Sequence, residues 1–144
     1  MDKTDTFDLQ EFLPYLLNQA AETASDGFQK IYKDRYGMLR TDWRVLFHLG
    51  IYGRMTARDI GRTAQVHKTK ISRAVARLEA RRFLLRQEDE TDRRVEHLTL
   101  TPAGQAAYRD LRGVAEAYDA ELVASLDPQE VAVLRKALLH LSRR

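Results

Sequence analysis

The sequence predicts a mainly α-helical fold with one small β-hairpin. Three observations lead there. Apolar residues recur at three- and four-residue steps over most of the chain. Helix-start residues precede those runs: Thr41, Thr56, Thr101-Pro102 and Asp127-Pro128. Only residues 84–100 show strand-like apolar positions around a polar loop. At 144 residues the chain has the length of one domain, residues 1–144.

The first helix follows from Phe12, Leu13, Leu16, Leu17, Ala20, Ala24, Phe28, Ile31 and Tyr32, which share one face. Pro14 implies a short turn that leads into the main helix near Leu13–Tyr15. The second helix starts with Thr41 as N-cap and runs to about Ile51. Trp43, Leu46, Phe47 and Gly50 line one side of it and Val45 and Leu49 the other, so it should be buried on most sides. After a turn at Tyr52–Arg54, Thr56 and Asp59 open a short third helix with Ala57, Ile60 and Ala64 inward.

Gln65–His67 connects it to a fourth helix, Lys68 to Arg81. Ile71, Ala74, Val75 and Leu78 form the inner stripe; Lys68, Lys70, Arg73, Arg77 and Arg81 lie outside. Leu84–Arg86 and Arg94–Leu100 read as two strands around the polar loop Gln87–Asp92. Thr101 caps a long fifth helix, with Pro102 at its first position, and that helix ends near Ser125. Asp127 and Glu130 cap a last helix, with Val131, Leu134, Leu138 and Leu141 on one face.

Composition removes several classes of function. With no cysteine there is no disulfide framework, thiolate nucleophile or cysteine zinc site. No run approaches the ~18 apolar residues of a membrane span, and Met1–Asp8 is too acidic and polar for a signal peptide, so a cytoplasmic protein is expected. His48, His67, His97 and His140 lack metal-ligand spacing, so neither metal nor cofactor is expected. No phosphate-binding glycine loop, nucleophile–base signature or carboxylate dyad occurs, which argues against an enzyme.

The charge is unevenly distributed. The net value is +3, but residues 1–53 carry −2, residues 54–94 carry +6 and residues 95–144 carry −1. A basic centre between mildly acidic arms fits a polyanion-binding surface, or simply a solvated face. Short helix, tight turn, basic helix and hairpin, in that order, make a winged helix-turn-helix. Its fourth helix, roughly 21 Å long at about 1.5 Å per residue, suits the major groove of duplex DNA. The N-terminal end of such a helix reads base edges. Here that end carries Lys68, Thr69, Lys70, Ser72 and Arg73, a mixture of phosphate-binding cations, hydroxyls and a bidentate donor.

The chain also resembles the MarR-family transcriptional regulators over nearly its whole length. The resemblance rests on Thr41-x-Trp43-x-Val45-Leu46 and Thr56-Ala57-Arg58-Asp59-Ile60. It continues through Val66 to Glu79, the wing Asp89-Glu90-Thr91-Asp92-Arg93-Arg94, and Leu98-Thr99-Leu100-Thr101-Pro102-x-Gly104. It implies a winged region at about 35–101 and dimerisation helices at about 8–34 and 102–144. It implies a homodimer on a pseudo-palindromic operator, acting as a repressor released by a small amphipathic or aromatic effector. Thr69, Lys70, Ser72 and Arg73 then occupy the base-reading turn, and Arg77 meets phosphate or base one turn on. Arg94 enters the minor groove and Asp92 orients the wing.

Tyr15, His48 and Tyr52 are candidates to line the effector pocket, or ordinary core and rim residues. Trp43 and the other aromatic residues read as core. Two positions depart from the family pattern. Arg82 stands where glycine commonly ends the recognition helix, and Lys70 where a smaller Ser or Thr is usual. Arg73 and Arg77 could also be solvated, and Arg94 could pair with Asp92 or Glu96. The alternative function is a non-catalytic helical dimer whose basic face binds an acidic protein.

Overall fold

The computed structural model describes residues 6–143. Most of the Met1–Asp8 stretch, read above as unlike a signal peptide, lies outside them. The elements are α1 (Leu13–Tyr36), α2 (Arg40–Tyr52), β1 (Met55–Thr56), α3 (Ala57–Ala64), α4 (Lys68–Ala80), β2 (Leu84–Glu88), β3 (Glu96–Leu100), α5 (Pro102–Leu122) and α6 (Pro128–Ser142). A 3₁₀ turn at Leu9–Glu11 precedes α1, which has Pro14 in its first turn. Both features follow from proline, which fits a helix start and breaks a helix interior.

The hairpin is part of a three-stranded antiparallel sheet in the order β1-β3-β2. Met55 pairs with Leu98 and Thr56 with His97. Sequence reading missed β1 because two residues cannot display an alternation; only the pairing across the fold defines it. The β2–β3 register runs from Leu84 opposite Leu100 to Glu88 opposite Glu96.

The start of α2 also needs correction. Thr41 lies inside the helix; the cap residue is Leu39, whose backbone N–H donates to Asp42 Oδ2 at 2.9 Å. The expected caps do form elsewhere. Thr56 Oγ1 accepts from the Asp59 N–H, and Thr101 Oγ1 accepts from the Gly104 N–H. Asp127 and Glu130 exchange both capping bonds.

One core joins these elements. Phe28 and Tyr32 of α1, Val45, Leu46 and Leu49 of α2, and Ile60 of α3 meet the α4 stripe Ile71, Ala74, Val75 and Leu78. Leu84, Leu98, Ala107, Tyr108 and Leu111 close it from the sheet and α5. Gly104 is where α5 meets the sheet: a Cβ there would lie 2.0 Å from the Phe83 carbonyl oxygen. No side chain fits that approach, which explains glycine after Thr101-Pro102.

The recognition-helix end expected to need glycine has Arg82 at φ +65. The chain therefore takes the left-handed turn with a non-glycine residue. Its carbonyl accepts from Thr101 Oγ1 at 2.7 Å, tying the turn to the start of α5. The outer helices are different. α6 buries no residue, and Leu9, Phe12, Leu13 and Leu17 are exposed near the N-terminus.

Candidate nucleic-acid interface

The buried stripe of α4 sets which of its side chains reach solvent. Because Ile71, Ala74, Val75 and Leu78 face the core, Lys68, Thr69, Lys70, Ser72 and Arg73 are all exposed. His67 caps this end: its Nδ1 accepts from the Thr69 N–H at 3.2 Å. In the neutral ring that leaves Nε2 carrying the proton.

Arg77 does not stand free on this face as expected. Its Nε lies 2.9 and 3.1 Å from the two carboxylate oxygens of Asp42, and its Nη2 lies 2.8 Å from one of them. Asp42 is 2% exposed, so its charge has no solvent to screen it. The fork of Arg77 and the Leu39 N–H satisfy it. Arg77 is thus committed to holding α4 against α2. Arg81 makes a neighbouring link by donating to the Tyr36 carbonyl oxygen at the end of α1. Sequence reading gave Asp42 no role. The available signal was a lone acid within the otherwise apolar α2.

The wing turns its acids inward. The Asp89 carboxylate accepts from the backbone N–H groups of Thr91 and Asp92, from Thr91 Oγ1, and from His97 Nε2 at 2.9 Å. The His97 bond, then those of Thr91 and Asp92, hold its pKa well below the usual carboxylate range. Asp92 accepts from Arg94 N–H at 3.0 Å and Arg94 Nε at 3.1 Å, which lowers its pKa as well. The Arg94 side chain is nevertheless 89% exposed. The tip therefore presents a cation while its carboxylates are occupied by their own loop.

The predicted pocket residues do not come together around a cavity. His48 and Tyr52 are ring neighbours, 5.9 Å apart, and His48 Nδ1 lies 2.6 Å from the Arg44 carbonyl oxygen. Neither they nor Tyr15 lines the cavity between α1, α2 and α5. That cavity, of about 290 Å³, has Phe28, Tyr32, Trp43 and Tyr118 as aromatic walls and Arg40 and Arg44 at its edge. The aromatics read as core are thus core and cavity wall together. Periodicity locates a buried face but not a gap within it. Burial raises the Tyr32 pKa, opposed by its bond to Trp43 and by Arg40. Among the described residues no cluster of His or acidic side chains could hold a metal ion, and no helix is long and apolar enough to cross a membrane.

Comparison with known proteins follows the same geometry. Residues 36–95, the span from the end of α1 to the wing, match the family model described as MarR family. The chain is 26% identical over 108 residues to YwoH of Bacillus subtilis, an uncharacterized HTH-type transcriptional regulator, covering 75% of each. It superimposes on Bordetella bronchiseptica BpsR, whose DNA binding is regulated by 6-hydroxynicotinic acid, with a TM-score of 0.88 and 25% identity over 96% of this chain and 98% of that one. A MarR mutant from E. coli complexed with operator DNA gives a TM-score of 0.83 at 20% identity, covering 95% and 98% of the two chains. That last likeness bears on the fold alone. With the winged helix-turn-helix complete and its core matching the family model, the chain belongs to the MarR family of transcriptional regulators.

Proposed function

We propose that the chain is a repressor that binds a pseudo-palindromic operator as a homodimer and is released by a small aromatic anion. The observation that carries this reading is the exposed end of α4. Lys68, Thr69, Lys70, Ser72 and Arg73 stand together on a helix whose opposite stripe is locked in the core. Such an end combines charge for phosphates with donors for base edges. Arg73 reads a base, Lys68 and Lys70 meet phosphate, and Arg94 enters a minor groove. Asp92 orients the wing arginine through their ion pair. The helices at about 8–34 and 102–144 form the dimer, which functions in the cytoplasm.

The cavity supports the effector. Its aromatic walls favour a flat ring, and Arg40 and Arg44 have no carboxylate partner among the described residues, so they favour an anion. BpsR supplies a precedent of matching chemistry.

Salt titrations on an operator selected from random DNA and on an unrelated duplex test the reading. Arg73→Ala should weaken the operator complex by about 1–3 kcal/mol and leave the unrelated duplex little changed. Arg94→Ala should weaken both by similar factors and flatten the log K versus log salt slope by about 0.9 for each phosphate neutralisation lost. Arg94→Ala losing only the operator, at an unchanged slope, would show that the wing acts through bases or structure.

A further inference from the structure

Between the outer face of α4 and the wing lies a cleft of about 560 Å³, lined in part by Arg58, Asp59, Ser72, Arg86, Arg94 and Glu96. A helix in the major groove and a wing in the adjacent minor groove are separated by one sugar–phosphate backbone. On the functional reading above, that backbone must cross this cleft. The cleft contains two carboxylates, which phosphate would avoid unless they were already neutralised.

They are. Asp59 is bound by Arg62 at 2.6 Å. Arg86 lies between two acids, 3.0 Å from Glu79 of α4 and 3.7 Å from Glu96 of β3. Arg94 is held by Asp92 at the wing tip. Arg58 differs from these. It is exposed in the first turn of α3 and has no carboxylate partner among the described residues. Its guanidinium is the uncommitted cation of the cleft.

We propose that this cleft seats a backbone phosphate of duplex DNA, with Arg58 binding the phosphate. Arg86 is a positioning residue there, the counter-ion that keeps Glu79 and Glu96 from repelling it. The proposal rests on the DNA-binding reading and adds contacts that read no sequence. Arg58 contributes affinity; Arg86 joins the recognition helix to the wing at the point where the backbone passes.

The test uses the full chain, an operator selected from random DNA and an unrelated duplex, across a salt series. Arg58→Gln should bind both duplexes roughly ten-fold more weakly, as expected for one lost charged hydrogen bond. Its log K versus log salt slope should flatten by about 0.9 per contact, or about 1.8 for a two-fold complex. Its thermal midpoint should match the wild type. Arg86→Gln should weaken both duplexes, and adding Glu96→Gln should restore binding. Glu96→Gln alone should bind both duplexes more tightly than wild type, a readout that survives if Arg86→Gln misfolds. Arg58→Gln with wild-type affinity and slope, or with loss confined to the operator, overturns the phosphate seat. Failure of Glu96→Gln to strengthen binding overturns the counter-ion role. Wild-type protein that binds neither duplex overturns the functional reading and this one with it, a result distinct from both.

Discussion

Arg82 holds φ +65 at the end of α4, a conformation that costs a side-chain-bearing residue about 1 kcal/mol or more. Its carbonyl bond to Thr101 keeps it there, and the side chain is exposed. Arg82→Gly should therefore raise stability by about 1 kcal/mol, measured by denaturant unfolding. A loss of stability would mean that the arginine side chain contributes more than its backbone strain removes. This strain was legible in the sequence, because a missing glycine at a helix end has few solutions. Asp42 was not legible. Its partner Arg77 lies 35 positions away, and no local pattern connects them.

Tyr36 offers a second test at this scale. Its hydroxyl donates to Asp110 Oδ2 at 2.5 Å, and Arg35 holds the same carboxylate. Burial, then the Asp110 bond and charge, raise the Tyr36 pKa to about 12. The folded state thus holds this proton more tightly than the unfolded chain, whose tyrosine titrates near about 10. Its stabilisation is complete below about pH 10 and is lost as pH rises from there to about 12. Tyr36→Phe should be less stable than wild type at pH 8 and lose this part of the decline between pH 10 and 12. A wild-type decline that persists unchanged in the variant would assign it to another group.

At the scale of elements, α4 works as two halves. Its N-terminal half presents the exposed polar end; its C-terminal half is bolted to the α1–α2 junction through Arg77–Asp42 and Arg81–Tyr36. Arg77→Ala strands a buried carboxylate and should destabilise by more than about 2 kcal/mol. Arg73→Ala, on the exposed half, should stay within about 0.5 kcal/mol of wild type. Thermal unfolding of the two proteins side by side checks this, and equal effects would undo the division. The helical half of this picture was readable from the Ile71, Ala74, Val75 and Leu78 spacing. The wing was readable as a loop between strands, but its internal order was not. Asp89 gathers donors from Thr91, Asp92 and His97, and only the folded hairpin brings His97 back to it.

For the molecule as a whole, the unresolved balance is apolar surface. The winged core covers its own side chains, yet Leu134, Leu138, Leu139 and Leu141 of α6 remain between 41% and 54% exposed. Leu9, Phe12, Leu13 and Leu17, at the other end of the chain, are exposed too. Both sets were visible as helical stripes, and periodicity alone assigned them to an interior. A single chain leaves them in water because no element of its own lies over them. Contiguous exposed apolar faces of this kind mark interfaces, and a two-fold dimer would let each copy cover the other. A stripe charge is the sharpest probe. Leu138→Asp should shift the protein from dimer to monomer in sedimentation at micromolar concentration. Operator affinity should fall with it, because one half-site contact replaces two, while the unrelated duplex should weaken less. The midpoint of thermal unfolding should also lose its dependence on protein concentration, since dimers are stabilised by mass action and monomers are not. A wild-type protein that sediments as a stable monomer, or a Leu138→Asp protein that remains a dimer, would move the interface away from α6.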